Sequence, residues 1–71
     1  MAVEHFLVPN ISSNHCVRAI SDAVGALPGV RLVVVSLGDK RVRVEHDGRA
    51  SVEALIRAIK AAGYDEVAVL G

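Results

Sequence analysis

The run Val30-Arg31-Leu32-Val33-Val34-Val35-Ser36-Leu37-Gly38-Asp39-Lys40-Arg41-Val42-Arg43-Val44-Glu45-His46 reads as two strands folded back on one another. Its first part, Val30–Leu37, is dense in β-branched side chains and too short for a second long helix. Gly38-Asp39 supplies turn chemistry. Lys40–His46 then alternates, with Val42 and Val44 on one face and Arg41, Arg43 and Glu45 on the other. Such alternation marks a half-buried strand, because successive side chains leave a strand on opposite sides. Arg41, Arg43 and Glu45 are expected to form a solvated face, with Leu32 and Val34 lying between their aliphatic stems.

On either side of this hairpin the period changes. Upstream, Val17, Ile20, Val24 and Leu27 recur at three- and four-residue steps, which is one face of a helix, with Arg18, Ser21 and Asp22 opposite. Ser12, Ser13 and Asn14 cluster as N-cap candidates. Gly25 weakens the helix by about 1 kcal/mol relative to Ala, and Pro28-Gly29 ends it. Further upstream, Ala2–Val8 is a strand closed by Pro9. Downstream, Asp47-Gly48 is a turn and Ser51 caps a second helix with the stripe Val52, Leu55, Ile56 and Ile59. Glu53 and Lys60 suit the two ends of its dipole. Gly63 takes the left-handed position after it, and Glu66–Leu70 is the last strand. The order βαββαβ, with right-handed crossovers, describes an α+β ferredoxin-like sandwich. A four-stranded antiparallel sheet carries both helices on one face, as a single domain over residues 1–71.

Composition removes several function classes. The chain of 71 residues balances eight basic against eight acidic side chains, with neither sign in a block. A net charge of zero gives no phosphate-tracking surface, and Phe6 and Tyr64 are the only aromatics available for base stacking. No nucleic-acid partner is expected. One Cys makes no intrachain disulfide. No basic-then-apolar leader is visible at Met1–His5, and no segment approaches the roughly 20 apolar residues that cross a bilayer. The expectation is a soluble, cytoplasmic domain without membrane insertion, with a soluble piece of a larger membrane protein as the alternative.

Chemistry concentrates in Asn10-Ile11-Ser12-Ser13-Asn14-His15-Cys16, between the first strand and the first helix. A Cys-x-x-Cys pair there would converge two thiolates on one soft metal ion. Here Ser13 stands at the first of those positions, and Cys16 is alone. With Leu27-Pro28-Gly29-Val30, Val33-x-Val35 and Ala62-Gly63-Tyr64 in order behind it, this loop resembles that of the heavy-metal-associated domain family. That family includes small bacterial copper chaperones and domains of copper-pumping ATPases, and the resemblance covers nearly the whole chain. Its loop usually reads Met-x-Cys-x-x-Cys. Ile11 is a mild departure, an apolar plug where that Met packs. Ser13 is a severe one, since a hydroxyl is a hard oxygen and Cu(I) prefers sulfur.

Each candidate has a plainer alternative. Cys16 begins a helix, where the dipole favours a thiolate, against the small buried hydrophobe that an isolated Cys often is. Ser13 is expected to cap, its oxygen accepting the Cys16 backbone N–H, rather than to bind metal. His15 adjoins Cys16, but neighbours at a helix start diverge by about 100°, so it reads as a solvated loop residue. Tyr64 is expected near Cys16. The resemblance implies that it shields the metal, and a ring packed over the helix end with a wet hydroxyl is compatible with that. His5 and His46 lie on strands and have nothing to make them ligands.

The resemblance implies Cu(I), with other soft ions as alternatives, held by Cys16 and passed to the heavy-metal-associated domain of a copper-transporting ATPase. One thiolate needs a second ligand from outside, and Cys16 of a second molecule predicts a metal-bridged homodimer. The rival reading is a metal-silent interaction module of the same fold. Enzymatic readings fail: Pro9–Ser13 has neither the Arg nor the Gly of an acylphosphatase phosphate loop. A Cys16–His15 pair also lacks a third group to orient the base.

Overall fold

A computed structural model describes residues 1–71 and contains β1 (Ala2–Leu7), α1 (Asn14–Gly25), β2 (Val30–Ser36), β3 (Arg41–His46), α2 (Val52–Ala61) and β4 (Ala68–Val69). The strands form one four-stranded sheet in the order β2-β3-β1-β4. Every neighbouring pair is antiparallel. This is the ferredoxin-like βαββαβ sandwich that the alternation and the helical periods predict.

β3 carries the register of the whole sheet. Val42 sits opposite Phe6 on β1 and Val35 on β2, and Val44 opposite Glu4 and Val33. Phe6, Val42 and Val44 are fully buried against Ile20 and Val24 of α1 and Leu55 and Ile59 of α2. The helices therefore take one face of the sheet. Its other face is open. Leu32 and Val34 remain 45% and 44% exposed there, beside the Arg43–Glu45 ion pair of 2.9 Å. No helix is long and apolar enough to cross a membrane.

Several elements end where the periods alone do not place them. α1 stops at Gly25, short of Pro28-Gly29. Ala26 N–H still reaches the Asp22 carbonyl at 3.2 Å and Leu27 N–H the Val24 carbonyl at 3.1 Å, so the last turn tightens before the chain leaves. Leu27 packs half-buried beyond the helix. Gly29 is required by space as well as by φ (+85°): a Cβ there would lie 2.4 Å from Asp47 Oδ1. The last strand shrinks to Ala68–Val69, although Leu70 N–H still donates to the His5 carbonyl at 2.8 Å. A bulge between Val30 and Leu32 interrupts the start of β2.

The hairpin turn is held differently from its sequence reading. Gly38 does not adopt a positive φ; the left-handed residue is Lys40, at φ +58°. A hairpin loop over 37–40, of the kind built around a type I turn, needs such a residue before the strand resumes. Asp39 N–H donates to Ser36 Oγ at 3.4 Å, closing the turn from the other side. Elsewhere the reading holds. Ser51 Oγ accepts the Ala54 N–H at 3.1 Å, and Gly63 is left-handed at φ +107°.

Candidate functional site

The loop over residues 8–13 lies between the end of β1 and the start of α1. Ile11 N–H donates to the Val8 carbonyl at 3.2 Å, and the Ile11 side chain is fully buried, as its role of apolar plug requires. From there the chain passes through exposed Ser12 and Ser13 into the helix. Cys16 falls in the first turn, with its N–H donating to the Ser13 carbonyl at 3.0 Å.

Ser13 occupies the N-cap position with an extended backbone, but its side chain accepts no capping bond. The expected Oγ-to-amide bond is absent because the hydroxyl turns to the sulfur, donating to Cys16 Sγ at 3.7 Å. Ser12 Oγ lies 4.0 Å from the same sulfur. Tyr64, 9% exposed, comes in after Gly63 turns the chain at the end of α2. Its ring packs into the core and its hydroxyl stays at the surface, beside Cys16.

These groups act on the thiol in one direction. The Tyr64 phenol is the largest influence, followed by the Ser12 backbone and the Ser13 hydroxyl, and together they bring the Cys16 pKa down to about 6. Burial opposes them only in part. Cys16 is thus mostly thiolate at neutral pH, against a free thiol near pKa 8.5. The nearness of Cys16 raises the Tyr64 phenol in turn, and burial adds to this. The helix start places Cys16, and the tyrosine does most to ionise it.

The remaining candidates stay apart. His15 is exposed, and the sulfur's hydrogen-bond partners are the Ser12 and Ser13 hydroxyls instead. His46 is buried, with Nδ1 accepting the Gly48 N–H at 3.1 Å. The proton therefore sits on Nε2, which donates to Glu4 Oε2 at 3.4 Å, and neither nitrogen is free for a metal. The burial of His46 extends the Val42–Val44 alternation by one step. His5 lies on the open face beside Arg41 and Leu70. No group of three or more His, Cys, Asp or Glu side chains converges anywhere. The loop therefore offers one soft donor. One contact of the loop has no counterpart in the sequence reading: the Lys40 ammonium donates to the Ile11 carbonyl.

The chain belongs to the heavy-metal-associated domain family, whose model matches residues 5–65. Among its relatives, the copper chaperone CopZ of Bacillus subtilis (strain 168) is 41% identical over 59 residues, spanning 82% of this chain and 86% of CopZ. Copper-transporting ATPase 2 of Rhizobium meliloti (strain 1021) is 35% identical over 60 residues, which cover 84% of this chain and 7% of the ATPase. In solved structures, apo-CopP from Helicobacter pylori superimposes with a TM-score of 0.83 at 39% identity, covering 93% of this chain and 98% of CopP.

Proposed function

We propose that this chain carries Cu(I), taking it at Cys16 and passing it by ligand exchange to the heavy-metal-associated domain of a copper-transporting ATPase, in the cytoplasm. The observation that carries this reading is a lone Cys in the first turn of α1, with the Ser13 and Ser12 hydroxyls 3.7 and 4.0 Å from its sulfur, in a chain of the heavy-metal-associated family. A pKa brought down to about 6 supports it. Cu(I) prefers soft sulfur, and a thiolate needs no proton removed before it binds. Relatives that are named copper chaperones, together with an ATPase that contains a matching stretch, supply both ends of such a transfer.

Ser13 sets the form the transfer takes. Its hydroxyl steadies the sulfur and is no ligand for Cu(I), so the second coordination place is filled from outside the chain. A small thiol fills it while the ion is carried. A docking partner's thiolate then displaces that thiol, and Cys16 is the last ligand to let go. A second copy of the chain fills the same place through its own Cys16, which gives the metal-bridged dimer. No bond to carbon is made or broken, and the reading is of a carrier and not an enzyme.

Titration with Cu(I) against a competing chelator, with and without glutathione, tests this. The parent should retain Cu(I) more strongly when the thiol is present, and Cys16→Ser should lose retention under both conditions. Equal retention by parent and Cys16→Ser would remove the loop from consideration. It would leave the metal-silent interaction module in its place.

A further inference from the structure

We infer that Lys40, remote in sequence from the metal loop, is the positioning residue that holds this loop in shape from the β2–β3 turn. Lys40 is the only non-glycine residue with a positive φ, at +58°. The left-handed region is unfavourable for a side chain with a Cβ, and Gly or Asn would meet the turn's requirement at less cost. Where a local rule is broken in this way, the compensation lies elsewhere. Here it lies across the β1 end of the sheet.

Lys40 grips the loop at two points. Its backbone carbonyl accepts the Val8 N–H at 2.8 Å, just where β1 ends. Its half-buried ammonium donates to the Ile11 carbonyl. Between these points the Ile11 N–H closes on the Val8 carbonyl. The turn Val8–Ile11 is therefore pinned on both sides by one residue, and Ser12 and Ser13 leave from a fixed origin towards the sulfur. A charged donor on a carbonyl makes a stronger bond than a neutral one. The left-handed backbone at 40 aims the side chain at that carbonyl.

The consequence for metal rests on the copper reading above, whereas the consequence for the loop does not. Amide exchange of the metal-free protein, followed residue by residue, reads the loop directly. Lys40→Gly relieves the φ and removes the ammonium; Lys40→Met keeps the stem and removes only the charge. Both should speed exchange at Ile11, Cys16 and Val17 by about tenfold, while β3 and α2 keep the parent's rates. Lys40→Gly should also unfold at no lower denaturant than the parent. Parent-like exchange in the loop of either variant would overturn the inference, as would faster exchange spread over the whole sheet. Both variants should also release Cu(I) to a chelator faster than the parent. Should the loop loosen in a protein whose parent holds no Cu(I), the copper reading falls and the role of Lys40 stands. An unchanged loop in a parent that does hold Cu(I) gives the reverse.

Discussion

At the scale of single residues, the chemistry of this chain is that of one sulfur and the hydroxyls around it. Alkylation of Cys16 against pH should show a midpoint near the folded value of about 6. Tyr64→Phe should raise that midpoint most, because the phenol is the largest cause of the shift, and Ser13→Ala should raise it less. A folded pKa below the unfolded one means that the ionised thiol favours folding. That contribution is complete above the unfolded value of about 8.5 and is lost as pH falls through about 6. Stability measured with parent and Cys16→Ser across this window should converge at its acid end. A midpoint at or above the free thiol value would mean an ordinary Cys and no site. Ser13→Cys is the complementary experiment. It should place a second thiolate on the loop and tighten Cu(I) binding by orders of magnitude. Since Ser13 makes no capping bond, it should do so without loss of thermal stability.

Between residue and fold lie the elements, and the two serines that head the helices separate them cleanly. Ser51→Ala removes a bond to the Ala54 N–H and should cost about 1 kcal/mol in urea unfolding. Ser13→Ala, at the equivalent place on α1, should cost a few tenths at most. Sequence alone makes these two residues look alike, because position decides where a cap can sit and not which way its hydroxyl turns. The sulfur three residues on takes the one at α1. Elements whose signal is local and repeated were legible from the outset: the β3 alternation, the α2 stripe, Gly63. What depended on a partner elsewhere was not. β4 has only the β1 edge to pair with and shortens to two residues. The left-handed place in the hairpin goes to Lys40 although Gly38 is two residues away, since it is the loop's length that fixes the place. His46 is buried because the β3 alternation runs on to the end of the strand. In the site, the loop and its resemblance pointed to Cys16, and the fold's topology to the nearness of Tyr64, but the tie from Lys40 to Ile11 joins residues 29 apart and left no local mark.

At the scale of the whole molecule, the proposed carriage of Cu(I) by one thiolate per chain predicts that assembly follows metal. Cu(I) should move the protein from monomer towards dimer at a limiting ratio of one ion per two chains. Excess glutathione should return it to monomer by taking the second coordination place. Sedimentation with and without Cu(I) reads this, and Cys16→Ser should remain monomeric throughout. A Cu(I)-loaded protein that sediments as a monomer without added thiol would require a second ligand within the chain, with exposed His15 the nearest imidazole in sequence.

The strand order β2-β3-β1-β4 also has a consequence for the chain while it is being made. β1 and the cysteine loop leave the ribosome early, but Phe6 finds no partner until Val42 has followed, and the loop meets Lys40 only then. Tyr64, which does most to ionise the sulfur, comes later still. At about 5–20 residues per second, several seconds separate the synthesis of Cys16 from that of Tyr64. Throughout that interval the thiol is an ordinary, largely protonated one, slow to react with oxidants and a poor competitor for metal. The sulfur of the nascent chain is in this way left in its slower-reacting form until the fold around it is complete.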